Sequence, residues 1–422
     1  MKVPVSRAGL SISSPLLVLF LVNVLNFYDR QVPGAIFEPL RHEFHLSDTE
    51  LGALTTVFIV VYALAGLPLG RLADRANRGR LLALGVAVWS GMTACGALAV
   101  NYGTLLATRL GVGIGEAVCA PAATSWIGDL YPPERRTRAM AWFMMAVPAG
   151  GFLSFAVGGP VAQVFGWRAA LVLAALPAVV LAPILPRLRE PARTSSQAAV
   201  ASPMLLLRIP AFRWVAVSGA IVNFVLYSFS FFLPAFLTRV HGLSVARAGV
   251  ATGVGSGLAG VFGALAAGFW GDRFRGNLAR GRLLAAAAAA LAASPLALAA
   301  IHLPGGTAAA AVPLLMLAYG LWQMYYGLVY AAIQDIVPAG LRATAMALYY
   351  LAMYLCGAAF GPLATGRLSD YFARRAVTAG WAAEAARAGG LHQAMYVIPA
   401  LSLLLALVLW AAARAARDPG QA

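Results

Sequence analysis

Charge is scarce in this chain. Only 11% of its 422 residues are Asp, Glu, Lys or Arg, against 61% hydrophobic, whereas soluble domains carry about 25% charged and about 45–50% apolar residues. A water-exposed globule is excluded, because no such fold hides that much apolar surface. Lysine is all but missing, with Lys2 the one example. Cysteine is rare too: Cys95, Cys119 and Cys356 sit in apolar stretches without paired spacing, so neither a disulfide framework nor a zinc site is supported and three reduced thiols are expected. His42 and His45 stand three apart in a polar stretch with no further ligands near them, which reads as a solvated loop rather than a metal site. No Walker loop, nucleophile–base–acid set or cofactor motif is present. Gly111, Gly113 and Gly115 have a superficially dinucleotide-like spacing, but they lie in an apolar run with no strand before them. An enzyme, a cofactor and a metal are therefore not expected.

What the chain has in abundance is long apolar runs, each able to bridge the roughly 30 Å hydrocarbon core as a helix. Twelve are expected, at about 14–37, 50–70, 81–100, 104–130, 138–163 and 168–186, then 212–238, 246–271, 283–302, 308–337, 343–366 and 392–413. Between the sixth and seventh lies a polar stretch with Arg187, Arg189, Glu190, Arg193 and Pro203, a composition that reads as a linker outside lipid. The expected architecture is all-α and membrane-integral: an N-terminal six-helix bundle (1–186), a cytoplasmic linker (187–211) and a C-terminal six-helix bundle (212–422). Most Lys and Arg residues fall on one side if the N-terminus is cytoplasmic, so both termini are expected inside. The stretch 366–391, with Arg367, Arg374, Arg375 and Arg387, is expected to be an outer loop, with room for a short interfacial helix. The net charge of +16 is explained by this topology, without a nucleic-acid partner. The first run ends in Tyr28-Asp29-Arg30 rather than at a small-residue cleavage site, so it is read as a retained helix. Arginine and alanine richness suggest a GC-rich bacterial source and an inner-membrane location.

The two halves echo each other. The stretch after the second run reads G-R-L-A-D-R-A-N-R-G-R from Gly70, and that after the eighth reads G-D-R-F-R-G-N from Gly271. D-L-Y-P-P-E-R-R-T-R-A-M from Asp129 is matched by D-I-V-P-A-G-L-R-A-T-A-M from Asp335 at a constant offset. With the repeat, the first of these strings and the R-x-x-x-G-x-G of the fourth run, the chain resembles the major facilitator superfamily over nearly its whole length. That resemblance implies two pseudo-symmetric six-helix bundles that rock about a central cavity. Gly150, Gly151, Gly158, Gly159 and Pro160 are similar to the glycine-rich fifth helix of the superfamily's antiporters, and are expected at a close, sliding contact between halves. Gly70, Asp74, Arg75, Arg78, Asp129, Arg136 and Asp272 form a candidate cytoplasmic gate, with Asp74 near a helix N-terminus and an arginine on Asp129. The same charges would also serve simply to set topology.

Four charges lie inside the apolar runs: Asp29, Arg30, Arg109 and Glu116. Each costs about 2.5–3.5 kcal/mol at the centre of a spanning helix, so such groups face one another or a wet cavity. Arg109 and Glu116, seven residues apart, share a helix face about 10 Å apart along the axis. The D-R of the first run, the R-x-x-x-G-x-G-E of the fourth and the D-x-x-x-x-x-x-R-x-R that follows resemble the spinster-like branch, which implies lysophospholipid or sphingosine-phosphate cargo. The charge pattern is equally similar to organic-anion and proton symporters. Burial favours a neutral carboxyl and a nearby arginine favours a carboxylate, so alternating exposure to water permits proton uptake and release. Asp29 and Glu116 are the candidate proton-coupling groups, with Arg30 and Arg109 as charge partners or anion binders. A static ion-pair network is the alternative.

The second half offers polar and aromatic residues instead. Together with Tyr28, the candidates to line a cavity are Asn223, Phe224, Tyr227 and Phe231, then Trp322, Gln323 and Tyr326, then Tyr349 and Tyr350. The expectation is a monomeric, proton-linked secondary transporter, with membrane lipid around it, moving a lysolipid or another anionic amphiphile by alternating access. A symporter of small organic anions and a multidrug/proton antiporter remain open.

Overall fold

The computed structural model describes residues 14–73, 75–191, 203–271, 273, 277–338 and 341–416. Its first half comprises α1 (Ser14–Ala35), α2 (Phe37–Phe44), α3 (Asp48–Ala73), α4 (Arg78–Gly96), α5 (Tyr102–Glu116), α6 (Cys119–Leu130), α7 (Pro133–Met144), α8 (Ala146–Phe165), α9 (Trp167–Ala175) and α10 (Ala178–Ile184). The second comprises α11 (Pro210–Arg239), α12 (Val245–Gly271), α13 (Leu278–His302), α14 (Ala308–Ile336), α15 (Arg342–Ala352), α16 (Phe360–Thr378), α17 (Ala383–Met395) and α18 (Val397–Ala415). These assemble into twelve rods in two bundles, because α5–α6, α7–α8, α9–α10, α15–α16 and α17–α18 each continue one rod through a local break. A π-helical turn, Met353–Ala358, joins α15 to α16. Ten of the rods are long and apolar enough to cross a membrane by length and composition. Of the other two, α1 carries Asn23, Asn26, Asp29, Arg30 and Gln31, and α4 opens on Arg78 and Arg80.

Local chemistry starts and ends these helices where backbone groups would otherwise lack partners. Asn77 caps α4 by accepting from the Arg80 amide at 2.8 Å, and Asn277 caps α13 by accepting from the Arg280 amide at 2.9 Å. The internal repeat is thus a repeat of caps. It is also a repeat of clamps: Arg78 pairs with Asp129 at 2.6 Å in the first bundle and Arg282 with Asp335 at 2.5 Å in the second. The short α2 ends at His45, whose φ of 53° closes the helix with a left-handed residue.

Two expectations change here. Residues 366–391 are not a loop: α16 runs to Thr378 and α17 begins at Ala383, because a helix does not stop where its apolar run stops. The glycines of the fifth rod serve two different contacts. A Cβ at Gly150 would meet the Val24 carbonyl at 2.5 Å and one at Gly158 would lie 3.4 Å from Val32, both in α1, whereas one at Gly159 would lie 3.1 Å from Gly249 in the other bundle. Gly159 therefore lies at the contact between halves, while Gly151 has nothing near it.

The bundles meet along α3 with α16, α8 with α12, and α1 with α11. The α3–α16 seam is tight enough that a Cβ at Gly52 would overlap the Pro362 carbonyl and one at Gly366 the Asp48 carbonyl. At the end where α1 finishes, the apolar seam is aromatic: Phe37 lies 5.9 Å from Phe231 and 5.6 Å from Phe232.

Candidate functional site

Three rods of the first bundle build the charged centre. A Cβ on Gly113 would lie 2.8 Å from the Phe58 carbonyl and one on Gly115 would lie 2.7 Å from the Trp89 amide nitrogen, so the glycines of R-x-x-x-G-x-G-E let α5 press against α3 and α4. This brings Arg109 and Glu116 against α1. All four charges expected from the sequence converge and are buried: Asp29 and Glu116 are 0% exposed, Arg109 3% and Arg30 4%.

They pair crosswise. Arg30 donates from Nε (3.3 Å) and Nη2 (3.2 Å) to one oxygen of Glu116, and from Nη2 to Asn26 at 3.4 Å. Its guanidinium also sits over the rings of Tyr62, Phe27 and Phe58, with centroids 4.4, 4.8 and 5.4 Å away, an arrangement that compensates the cation for lost water. Arg109 faces Asp29 at 3.8 Å, outside hydrogen-bond range. Between them stands Thr93 of α4, whose hydroxyl lies 2.6 and 2.7 Å from the two Asp29 oxygens and receives a long contact from Arg109 Nη2 at 3.4 Å. Glu116 Oε1 and Arg109 Nε have no hydrogen-bond partner among the described residues. On the side of Arg109 toward the α1 C-terminus there is a cavity of only about 10 Å³, lined by Pro33, Ile36, Leu40, Leu54, Leu105 and Leu171, little more than a single water needs.

The second bundle closes over the Arg30–Glu116 pair with aromatic rings. Tyr354 approaches Tyr62 at 5.9 Å, and Tyr227 stacks on Phe231 at 6.1 Å. Asn223 accepts from Tyr326 at 3.3 Å, and Gln323 donates to Tyr319 at 2.7 Å. Several residues expected to line a cavity have other engagements. The Trp322 indole is buried and donates to Ser402 at 2.8 Å, and Tyr349 is buried with its hydroxyl donating to Tyr325 at 3.0 Å. Both stiffen the second bundle internally. Phe231 packs into the aromatic seam, Tyr350 is half-exposed beside Tyr330, and the Phe224 carbonyl backs against Gly361 of α16. The Tyr28 hydroxyl is buried with no hydrogen-bond partner among the described residues.

The candidate gate residues look different from a latch across the bundles. Arg78 joins Asp129 of the first bundle at 2.6 Å and Glu190 of the linking stretch at 3.7 Å, so neither contact reaches the second bundle. Gly70 is half-buried, and Arg75 and Arg136 are exposed. Asp74 and Asp272 lie outside the described residues.

Among the described residues, the ionic contacts between the bundles gather at the opposite end, on residues outside the candidate sites named from the sequence. Arg239 at the end of α11 is bidentate to Asp48 at 2.8 Å and reaches Glu38 at 2.6 Å. Arg41 bridges Glu38 and Glu384, each at 3.2 Å. Asp370 of α16 accepts from the amides of Asp48 (3.0 Å) and Thr49 (2.8 Å), capping α3 from the other bundle. Charges at the ends of apolar runs are ordinary, so only a pairing across runs could have marked them. Thr93 gave no signal either, since a hydroxyl adds little polarity to an apolar run.

Comparison with known proteins agrees with this geometry. The chain matches the Major Facilitator Superfamily over residues 19–362. It is 35% identical to an MFS-type efflux pump of Mycolicibacterium smegmatis, covering 84% of this chain and 83% of that one. It is 28% identical to protein spinster homolog 1 of Homo sapiens, covering 85% and 73%. A crystal structure of a bacterial homolog to the human lysosomal transporter spinster, in an inward-facing and occupied conformation, superposes with a TM-score of 0.86 at 29% identity, covering 96% of this chain and 98% of that one. With its paired six-rod bundles and its charged centre, the chain belongs to the Major Facilitator Superfamily of membrane transporters and is similar to that superfamily's spinster-like members.

Proposed function

We propose that this protein is a proton-linked secondary transporter that moves an anionic amphiphile, of the lysolipid class, by alternating access. The observation that carries the reading is the crossed set of two carboxylates and two guanidiniums, wholly buried on α1 and α5, with α1 packed against α11 of the second bundle. Such a set balances to zero charge only while every group is ionised. Proton arrival on Asp29 or Glu116 frees an arginine, and a freed arginine seeks an anion. Proton and anionic cargo are thereby linked through one set of groups. Rings at Tyr62, Tyr227 and Tyr354 offer an apolar wall for an acyl chain.

In this reading residues 1–186 and 212–422 are the two moving bodies, and 187–211 joins them on the cytoplasmic face of a bacterial inner membrane, with both termini inside. The ionic contacts among Glu38, Asp48, Arg239 and Asp370 then close the outer end, which corresponds to an inward-facing state. Multidrug/proton antiport is a second reading, favoured by the 35% identity to an efflux pump along most of both chains.

The test is flux into proteoliposomes across an imposed pH gradient, with fluorescent lysolipid and a cationic dye as alternative cargoes. Asp29→Asn and Glu116→Gln should each lower pH-driven flux at least tenfold, a loss of about 1.4 kcal/mol or more. Undiminished pH-driven flux in both variants overturns the coupling, and transport of the dye but not the lysolipid selects the second reading.

A further inference from the structure

We propose that Thr93 is a positioning residue that holds Asp29 and Arg109 apart, so that the proton-binding carboxylate is bonded through a hydroxyl rather than clamped by the guanidinium. This rests on the reading of Asp29 as a proton-coupling group. Three observations support it. The Thr93 hydroxyl stands within 2.7 Å of both Asp29 oxygens, so its one proton serves the whole carboxylate. The Arg109 contact falls on that same hydroxyl oxygen at 3.4 Å while the direct ion-pair distance stays at 3.8 Å. Finally, Arg109 Nε is buried and has no hydrogen-bond partner among the described residues. A buried guanidinium and carboxylate normally close to direct contact at about 2.7–2.9 Å. The hydroxyl wedged between them prevents this.

The other groups around Asp29 do not take this place. α5 presents Arg109 and Glu116, α1 itself carries Tyr28 and Arg30, and the end of α9 carries Arg168, which is bound to Glu43. α8 carries no titratable side chain between Ala146 and Phe165, and α11 turns Tyr227 toward Arg30 rather than toward Asp29. Glu116 is already held by Arg30. Among the described residues, Thr93 supplies the hydroxyl that hydrogen-bonds Asp29 and meets Arg109.

Removing both the hydroxyl and its bulk in Thr93→Ala lets Arg109 close on Asp29, a charge-assisted contact that outweighs the lost hydroxyl hydrogen bond and holds the carboxylate ionised. In Thr93→Ala the pH at which flux is half-maximal should therefore fall by about one unit, tenfold in proton concentration, and Thr93→Ser should keep the wild-type profile. The measurement is flux against pH in proteoliposomes, paired with infrared titration of the carboxyl band assigned by difference against Asp29→Asn, which needs no transport. An Ala profile that matches wild type, one that moves to higher pH, or a Ser variant that behaves like Ala each overturns the positioning role. If wild-type flux ignores pH, the transport reading fails, while the infrared titration of wild type against Ala still decides whether Thr93 spaces the pair.

Discussion

Asp29, Arg30, Arg109 and Glu116 were legible from the sequence because an ion in an apolar run is expensive and must find company. Their pairing was not legible. Whether Arg30 reaches Glu116, and Asp29 faces Arg109, depends on how α1 is rotated against α5, and no spacing within either helix sets that rotation. A different residue-scale pair lies outside the bilayer segments. Hydrogen bonds from Arg168 at 2.9 Å and from the Trp167 indole at 2.6 Å hold the Glu43 carboxyl below the usual carboxylate range. A carboxyl whose folded value is depressed adds stability above its unfolded value and loses it as pH falls through the folded one. The difference in Tm between wild type and Glu43→Gln should therefore be largest above about pH 4.5 and vanish in stronger acid. Glu43 is 40% exposed, so the contribution should stay below about 1 kcal/mol. Thermal unfolding in detergent across pH measures it.

Among the helices, the rods were readable as apolar runs and their ends were not. Residues 366–391 looked like a loop because Arg367, Arg374 and Arg375 end the apolar run, yet α16 carries them on a helix that continues to Thr378. Glycine in a run was readable only as a close approach, with no indication of the neighbour. The structure supplies the neighbours and hence a contrast. Gly113→Ala and Gly115→Ala drive a methyl into the backbones of α3 and α4 and should each cost about 1–3 kcal/mol, read as a lower Tm. Gly151→Ala, with nothing within 4 Å, should be neutral. Equal effects at all three positions would contradict the packing described for α5.

At the scale of the whole molecule, the ionic contacts among the described residues divide unevenly between the two ends. Arg78–Asp129 and Arg282–Asp335 each brace one bundle, whereas Arg239, Arg41 and Asp370 span both. Arg239→Gln leaves Asp48 and Glu38 buried without their shared cation, a loss of about 3 kcal/mol from the state drawn here. The population ratio should then move on the order of 100-fold toward opening at that end. With Cys95, Cys119 and Cys356 replaced, a Phe37→Cys variant, at a position buried against Phe231 and Phe232 of the second bundle, should gain reactivity toward a water-soluble maleimide in Arg239→Gln. Unchanged labelling would mean the ion pairs do not hold the bundles together.

Asp370 adds a consequence for kinetics. It supplies the acceptor for the first two amides of α3 although it belongs to the opposing body, so separation strands those amides unless solvent replaces the carboxylate at once. Hydration of that crevice must therefore accompany or precede the parting of the helices. Osmolytes that withdraw water should slow the conversion even where they leave each body's fold intact.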